Sequence, residues 1–579
     1  MSDSIKEARV LEKANSLGTF AKYFTFTRIN GPGMWLALAA LSAGCLVGSL
    51  GLGQRLGTEG LWVQAWAMLL GMFSLWAVSH ITLNSQQSLF VLLKNEWNPS
   101  LGWWLAGAAM LTNFAWCMPQ FKFGAEITGS ILFPVLDSKA GKIGVAVIML
   151  GLSIFLSFWY ERSGLRSKLF QWTLRLILLS LFACLLASLL IALPKSEISI
   201  TNILSGFIPS TTHFNEVSSS YHPLLEKTGD FRSFWEDQLV SRQRELTLIT
   251  FSSTLGINLL FGIPLLLLGR GWKRGHNEFA KFNLFSGLFI PFLLCSSCLT
   301  LLSAVAHQRL INEPVESIEK NSLFMEKESS GRVHDLLALR VSKEIGKSEY
   351  NALVPFQQEE KINNLSLADQ RLAKLVVSSN IKQWILSFSH GGNESLKYLL
   401  GVSVILISFS TIVVLMVLNG HLVCEVLGKP HKGAPFQSGS LLLALASVGP
   451  FVWSNQDSWV ADPTYFISLA ILPYALLSCL LMLNSRELLG RECPKGITGL
   501  IINLGAALSF ITLGASSSYL AWNHQWEGFP IGQALVVLIG ILLLIGYFSL
   551  KNKKILNRLS GLETRLEKAE KKLSPHILR

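Results

Sequence analysis

The sequence predicts an all-α polytopic membrane protein, on three observations. Half of its 579 residues are hydrophobic and 15% are charged, against about 25% charged in soluble domains. Twelve windows approach the roughly 20 apolar residues a helix needs to cross a bilayer: 33–52, 61–83, 102–124, 143–160, 169–194, 248–269, 282–306, 397–419, 438–454, 464–484, 498–521 and 530–550. Basic residues recur in alternate short loops, the bias that orients membrane proteins.

Residues 1–30 form a polar segment with Lys6, Arg9, Lys13, Lys22 and Arg28 and no signal-type apolar core, so the first span directs insertion. The loops expected on the same side hold Arg162, Arg166 and Lys168, then Arg270, Lys273 and Arg274, then Lys429 and Lys432, then Arg486, Arg491 and Lys495. Twelve spans return the basic tail, Lys551 to Arg558, to that side. Both termini are therefore expected in the cytoplasm, with a bacterial inner membrane as the setting. The ninth window is short and contains Gly449-Pro450, but an odd count would put the basic tail outside.

The chain divides into a segment 31–194 with five spans, a polar loop 195–247, and a segment 248–484 carrying a polar insertion 307–396. Two more spans (485–550) and a tail (551–579) follow. Helical spacing of Leu367, Leu372, Leu375 and Val376 predicts a small, partly helical extracytoplasmic cap in the insertion. In the tail, Ile555, Leu559, Leu562, Leu566, Ala569 and Leu573 alternate by fours and threes. That pattern suits a coiled-coil dimer or a helix lying on the inner leaflet.

The formal charge of +12 lies largely in the one-sided loops, and no nucleic-acid motif accompanies it. The expected partners are the lipid bilayer and a small cargo. Cys295 and Cys298 have C-x-x-C spacing inside an apolar span, where buried thiols acting as small hydrophobes are expected. The chain has no nucleophile–base arrangement, Walker loop or H-E-x-x-H, so an enzyme or an ATP-driven pump is not expected. No permanently bound cofactor is expected either; a metal cation would be cargo.

The stretch Gly31–Gly57 is apolar yet carries Ser42, Ala43, Gly44 and Cys45 near its middle. A second interruption falls at Thr254–Gly269, with Gly256, Asn258, Gly262 and Pro264. Paired interruptions in two halves point to a mid-membrane site in a secondary transporter; small-residue packing faces of ordinary helices are the other reading. Lys122 and Glu126 stand at i and i+4 on the third span. A charge inside the membrane needs a partner or a wet cavity, so the pair is either a proton or charge relay or an interfacial ion pair. Arg175 and His80, near span ends, read as snorkelling anchors.

With GPG opening the first span, Arg55 and Gly57 closing it and PYALLSCLLMLNSRELLG ending the tenth, the chain resembles the natural-resistance-associated macrophage protein (Nramp) family. It is most similar to a divergent bacterial branch of Nramp-related divalent-metal transporters, through GINLLFGIPLLLLGRGW, FNLFSGLFIPFLLCSSC and FSTIVVLMVLNGHLVCEVLG. The resemblance runs from about Gly31 to Gly490. It implies a LeuT-like inverted-repeat (5+5) fold, with spans one and six broken around a central site.

The resemblance also shows what is replaced. The family's Asp-Pro-Gly-Asn at the first break falls on Ser42, Ala43, Gly44 and Cys45, and its Met-Pro-His on Leu260, Phe261 and Gly262. Its tenth-span glutamine falls on Tyr465; of its acidic pair on span three, Glu126 remains and Phe123 replaces the other. The substrate-binding set implied is Ala39, Ser42, Gly44, Cys45, Gly256, Ile257, Asn258, Leu260 and Tyr465, with carbonyls at Ala39 and Ile257; Cys45 is either a thiolate ligand for the metal or a thiol that only packs. The expected function is alternating-access transport of a metal cation. A non-metal small solute on the same scaffold, or a transport-dead sensor, are the alternatives.

Overall fold

A computed structural model of the chain describes residues 10–14, 16–27, 29, 31–161, 164–312, 327–377, 381–389, 394–452, 461–525, 529–542, 544–546, 548 and 559–560. The helices that matter here are α1 (Gly33–Ala40), α2 (Ala43–Leu56), α3 (Leu61–Ser85), α4 (Pro99–Ile127), α5 (Lys139–Glu161), α6 (Leu165–Ala192), α7 (Arg232–Thr254), α8 (Ile257–Gly269), α9 (Ile290–Asn312), α10 (Lys327–Ile345), α11 (Leu367–Val376), α12 (Ile381–Ser389), α13 (Glu394–Leu427), α14 (Ala434–Leu442), α15 (Ala461–Leu483), α16 (Gly496–Ser509) and α17 (Ala515–Asn523). Among the described residues, seven helical stretches are long and apolar enough to cross a membrane, or eight if the bent pair Ile467–Leu483 and Arg486–Glu492 counts as one span. The molecule is an all-α polytopic membrane protein.

The first and sixth spans are discontinuous, as expected. Between α1 and α2 the chain leaves the helical region at Leu41 (ψ 49°) and is extended at Ser42 (φ −88°, ψ −177°). Between α7 and α8 it is extended at Leu255 (φ −103°, ψ 93°) and Gly256 (φ −72°, ψ 148°). Each break leaves the last carbonyls of one helix and the first amides of the next without intrahelical partners. One such carbonyl, of Leu38, accepts from Thr411 Oγ1 of α13 at 3.0 Å. The half-spans pair in kind, α2 packing against α7 and α1 against α8.

The sixth span differs from its window. The hydropathy reading begins at 248, but α7 starts at Arg232 and so takes in the end of the supposed loop 195–247. Arg232, Glu236, Arg242 and Glu245 hide it from a hydropathy window; they pair along the helix as Arg232–Glu236 (2.7 Å) and Arg242–Glu245 (2.8 Å). Its apolar side, with Trp235 and Leu239, is buried beneath the cap. The ninth window divides into α14, a 3-10 turn at Leu443–Ser447 and one further turn at Gly449–Val452, the irregularity that Gly449-Pro450 announces. Within the twelfth window, Ile531–Gly546 is described as an apolar helix. The tail seam lies outside the described residues apart from 559–560.

The insertion 307–396 is partly helical. α10 and α11 close over Tyr221, Leu224 and Trp235 to form a small separate core. α12 instead packs on α13, its Trp384, Ile385 and Phe388 joining the main core. At the centre of the cap Asp369, 2% exposed, accepts from Trp235 Nε1 (2.6 Å), Arg340 Nε (3.3 Å) and Ser366 Oγ (2.5 Å). The cap also grips the first span: Arg55 Nη2 donates to the Val376 carbonyl (3.1 Å), and the Tyr221 hydroxyl donates to the Gln54 carbonyl (2.9 Å).

α2 lies directly on the backbone of α9. A Cβ at Gly53 would stand 2.5 Å from Ser303 Cβ and 2.8 Å from Ala304 N, and would overlap the Thr300 carbonyl. Ser303 Oγ donates to the Leu50 carbonyl at 2.7 Å beside this contact. All eight cysteines are free, Cys295 and Cys298 among them.

Candidate functional site

A cavity of about 550 Å³ lies between α2, α4, α7 and α15. Its floor is at the two breaks, where Ala43 and Gly44 open α2 and Ser253 lies in the last turn of α7. One wall is a stripe of α4, namely Thr112, Ala115, Trp116, Pro119 and Phe123; Val47, Gly48, Leu246 and Ile249 face it, and Ser468 comes from α15. Arg55, Arg242 and Glu245 stand at the mouth, on the cap side. The opposite halves, α1 and α8, are packed solid: Leu36, Ala37, Leu38 and Leu260 have no exposed surface, and Trp35, Ile257 and Phe261 are 2% exposed. The cavity therefore opens toward the cap and is shut at the other end.

The lining is mostly apolar. Its oxygens are the hydroxyls of Thr112, Ser253 and Ser468, and the first and last are hydrogen-bonded to each other while Thr112 also donates to the Ala108 carbonyl (2.6 Å). The one carboxylate on it, Glu245, is paired with Arg242. Among the described residues no group of three or more His, Cys, Asp or Glu is placed to hold a metal ion.

The sequence-predicted residues fall in three places. Gly44 lines the cavity, with the Trp116 ring 2.9 Å from where its Cβ would stand. Ser42 is half-buried as the residue before α2, and Ala39 lies in the last turn of α1, one residue before its end. Gly256 precedes α8, Ile257 begins it, and Asn258 folds its Oδ1 back onto the Leu259 amide (3.0 Å). Leu260 is wholly buried below the break. The Tyr465 side chain lies outside the described residues.

Cys45 faces away from the cavity. Its thiol is 3.6 Å from Gln64 Oε1 and 3.9 Å from Ser49 Oγ, while Gln64 Nε2 donates to the Cys45 carbonyl (3.1 Å). A serine fits the same contacts, so Cys45→Ser is expected to change no affinity for manganese or zinc that titration calorimetry detects. A clear loss of affinity would place a thiolate at the site.

Lys122 and Glu126 are both half-buried on α4. At 100° per residue, Glu126 lies within about 20° of Pro119, the centre of the cavity stripe, and Lys122 within about 60°. The pair thus continues the cavity wall toward the cap. Sequence reasoning missed Thr112, Trp116, Ser253 and Ser468. The α4 residues were findable, since 112, 116, 119, 123 and 126 recur by threes and fours and share a face with the one retained acid. Ser253 and Ser468 have no such signal, because serine is common in apolar spans.

No protein-family model and no curated protein matches this chain. The fold does match solved structures. The crystal structure of the Eremococcus coleocola manganese transporter in complex with an aromatic bis-isothiourea substituted compound superposes with a TM-score of 0.59 at 12% identity, over 93% of this chain and 97% of that one. Two mutants of the same transporter give 0.59 at 13% identity, over 92% of this chain and 96% of theirs. This chain therefore has an Nramp-like fold.

Proposed function

We propose that this protein is a secondary active transporter working by alternating access, with a metal cation as its cargo. The observation that carries the reading is the cavity: it reaches the breaks of both interrupted spans from the cap side, while the opposite half-spans are sealed. Exchange of that asymmetry is what alternating access requires. The metal part is supported by the likeness to manganese transporters. The donors near the floor are hydroxyls and main-chain carbonyls without an unpaired carboxylate, which suits a hard cation that keeps part of its water shell. Radioactive manganese uptake into proteoliposomes under an imposed proton gradient tests it. Saturable uptake, lowered by the Thr112→Val/Ser468→Ala double variant, is expected; no uptake at any gradient would remove the metal.

The cavity's own chemistry favours one other cargo, a small amphipathic solute with an anionic group. Arg55 and Arg242 outnumber Glu245 at the mouth, and the amide end of α2 faces the floor, where a helix N-terminus attracts negative charge. Thermal-shift titration with manganese and with apolar carboxylates separates the two cargoes by which one stabilises the protein.

A further inference from the structure

At the end of the molecule opposite the cap, four side chains form one continuous hydrogen-bonded line. The Tyr160 hydroxyl is 2.8 Å from His421 Nε2, His421 Nδ1 is 3.0 Å from His431 Nδ1, and His431 Nε2 is 2.9 Å from Glu425 Oε2. Ser88 Oγ donates to the other Glu425 oxygen. The line joins α5, α13 and the α13–α14 connection, and runs from interior to surface: His421 is 2% exposed, whereas the His431 side chain is 30% exposed. Its inner end touches both sealed half-spans. Tyr160 stacks edge-on with Trp35 of α1 (centroids 5.2 Å apart), and the space at Gly269, the last residue of α8, is bounded by His421 and Tyr160.

We infer that Tyr160, His421, His431 and Glu425 are a one-proton relay, a proton-binding site that opens to water through His431. The stoichiometry follows from the donors. In the neutral arrangement Tyr160 donates to His421 Nε2, His421 Nδ1–H donates to His431 Nδ1, and His431 Nε2–H donates to the Glu425 carboxylate; every bond has one donor and one acceptor. With one proton added to the line, His431 is a cation that donates from Nδ1 to His421 and from Nε2 to Glu425. His421 gives its Nδ1 proton to His431 and takes the Tyr160 hydroxyl proton on Nε2, and the added proton replaces the hydroxyl's; the Tyr160 oxygen then accepts from His421, since a hydroxyl serves in either direction. All three contacts survive with one proton added. A second proton would set Nδ1–H against Nδ1–H across 3.0 Å and break the line.

The surrounding charges fit one added proton. From α13 itself the neighbours are Cys424 and Glu425; from α5, Tyr160 and Glu161; from the connection, His431, with Lys429 and Lys432 beside it in sequence. Arg270, just past α8, lies over the Trp35 ring at 4.7 Å. Glu161 is occupied by the Gly433 amide and by Gln437 Nε2 (3.0 Å), and α14 otherwise offers Phe436. Use of this proton to drive the opening of α1 and α8 rests on the transporter reading; the relay itself does not.

Histidine nitrogen NMR of the full chain in lipid nanodiscs, assigned with His421→Asn and His431→Asn, tests the inference without any cargo. Over the pH range in which the protein stays folded, His421 and His431 are expected to change together and take up one proton in total. One becomes the cation and the other exchanges its Nδ1 proton for an Nε2 proton. In His431→Asn, His421 is expected to be silent over that range. Two independent titrations, no titration in either residue, or an unaltered His421 titration without His431 would each overturn it. Absent metal uptake with a coupled one-proton titration would discard the cargo and keep the relay.

Discussion

Replacing Asp369 with alanine is expected to release the cap from the membrane-spanning body, at a cost of about 3–5 kcal/mol, the scale of breaking one side of a buried ion pair. The carboxylate is 2% exposed and accepts from Trp235, Arg340 and Ser366. Without it, Arg340 would remain buried over the Phe231 ring, 3.1 Å from its centroid, with Glu344 as its remaining carboxylate (2.7 Å). The indole N–H of Trp235, a residue with no exposed surface, would lose its acceptor. Hydrogen exchange checks this by location: protection should fall across α10, α11 and the first turns of α7, while α4 and α13 stay protected. Asp369→Asn should lose much less, because the amide oxygen can still accept from Trp235 and Arg340. Unchanged exchange in the alanine variant would mean that the cap is held by its apolar core alone.

The second large effect is expected at Gly53. Leucine there must push α2 off the backbone of α9, since even a Cβ overlaps the Thr300 carbonyl and stands 2.8 Å from Ala304 N. Overpacking of this kind costs about 1–3 kcal/mol, and here it also strains the Ser303–Leu50 bond at 2.7 Å. Because α2 forms one wall of the cavity, Gly53→Leu should lower the melting temperature and abolish uptake together. Gly107→Leu is the control, because a Cβ at Gly107 meets nothing within 4 Å. Equal behaviour of the two variants would contradict a close seat of α2 on α9.

Much of the architecture was legible because hydropathy and glycine placement report on it directly. The break at Ser42 and Gly44 and the one at Gly256 could be read from small residues inside apolar runs. The start of the sixth span could not: Arg232, Glu236, Arg242 and Glu245 satisfy one another along α7, or face the cavity mouth, and a hydropathy window counts them only as a loop. The site was less legible than the fold. Aligning Cys45 with a ligand position assigned it a role, but facing direction within a helix depends on the neighbours. Gln64 and Ser49 on the far side of α2 hold that thiol away from the cavity. The polar groups that do reach the cavity are single serines and a threonine, whose types carry no chemical signature. In the Tyr160–His421–His431–Glu425 line, His421, Glu425 and His431 lie within one short stretch, but Tyr160 stands 261 positions from His421, and no local spacing announces that contact.

A cavity open toward the cap admits water to the break of the sixth span from that side and excludes it from the other. That one-sided access is tested most directly by labelling a Ser253→Cys variant, lacking the half-buried Cys184 and Cys493, with a membrane-impermeant maleimide applied to one face of sealed vesicles at a time. Reaction is expected from the cap face and protection from the opposite face. Failure to react from either face would mean that the two breaks do not meet a cavity.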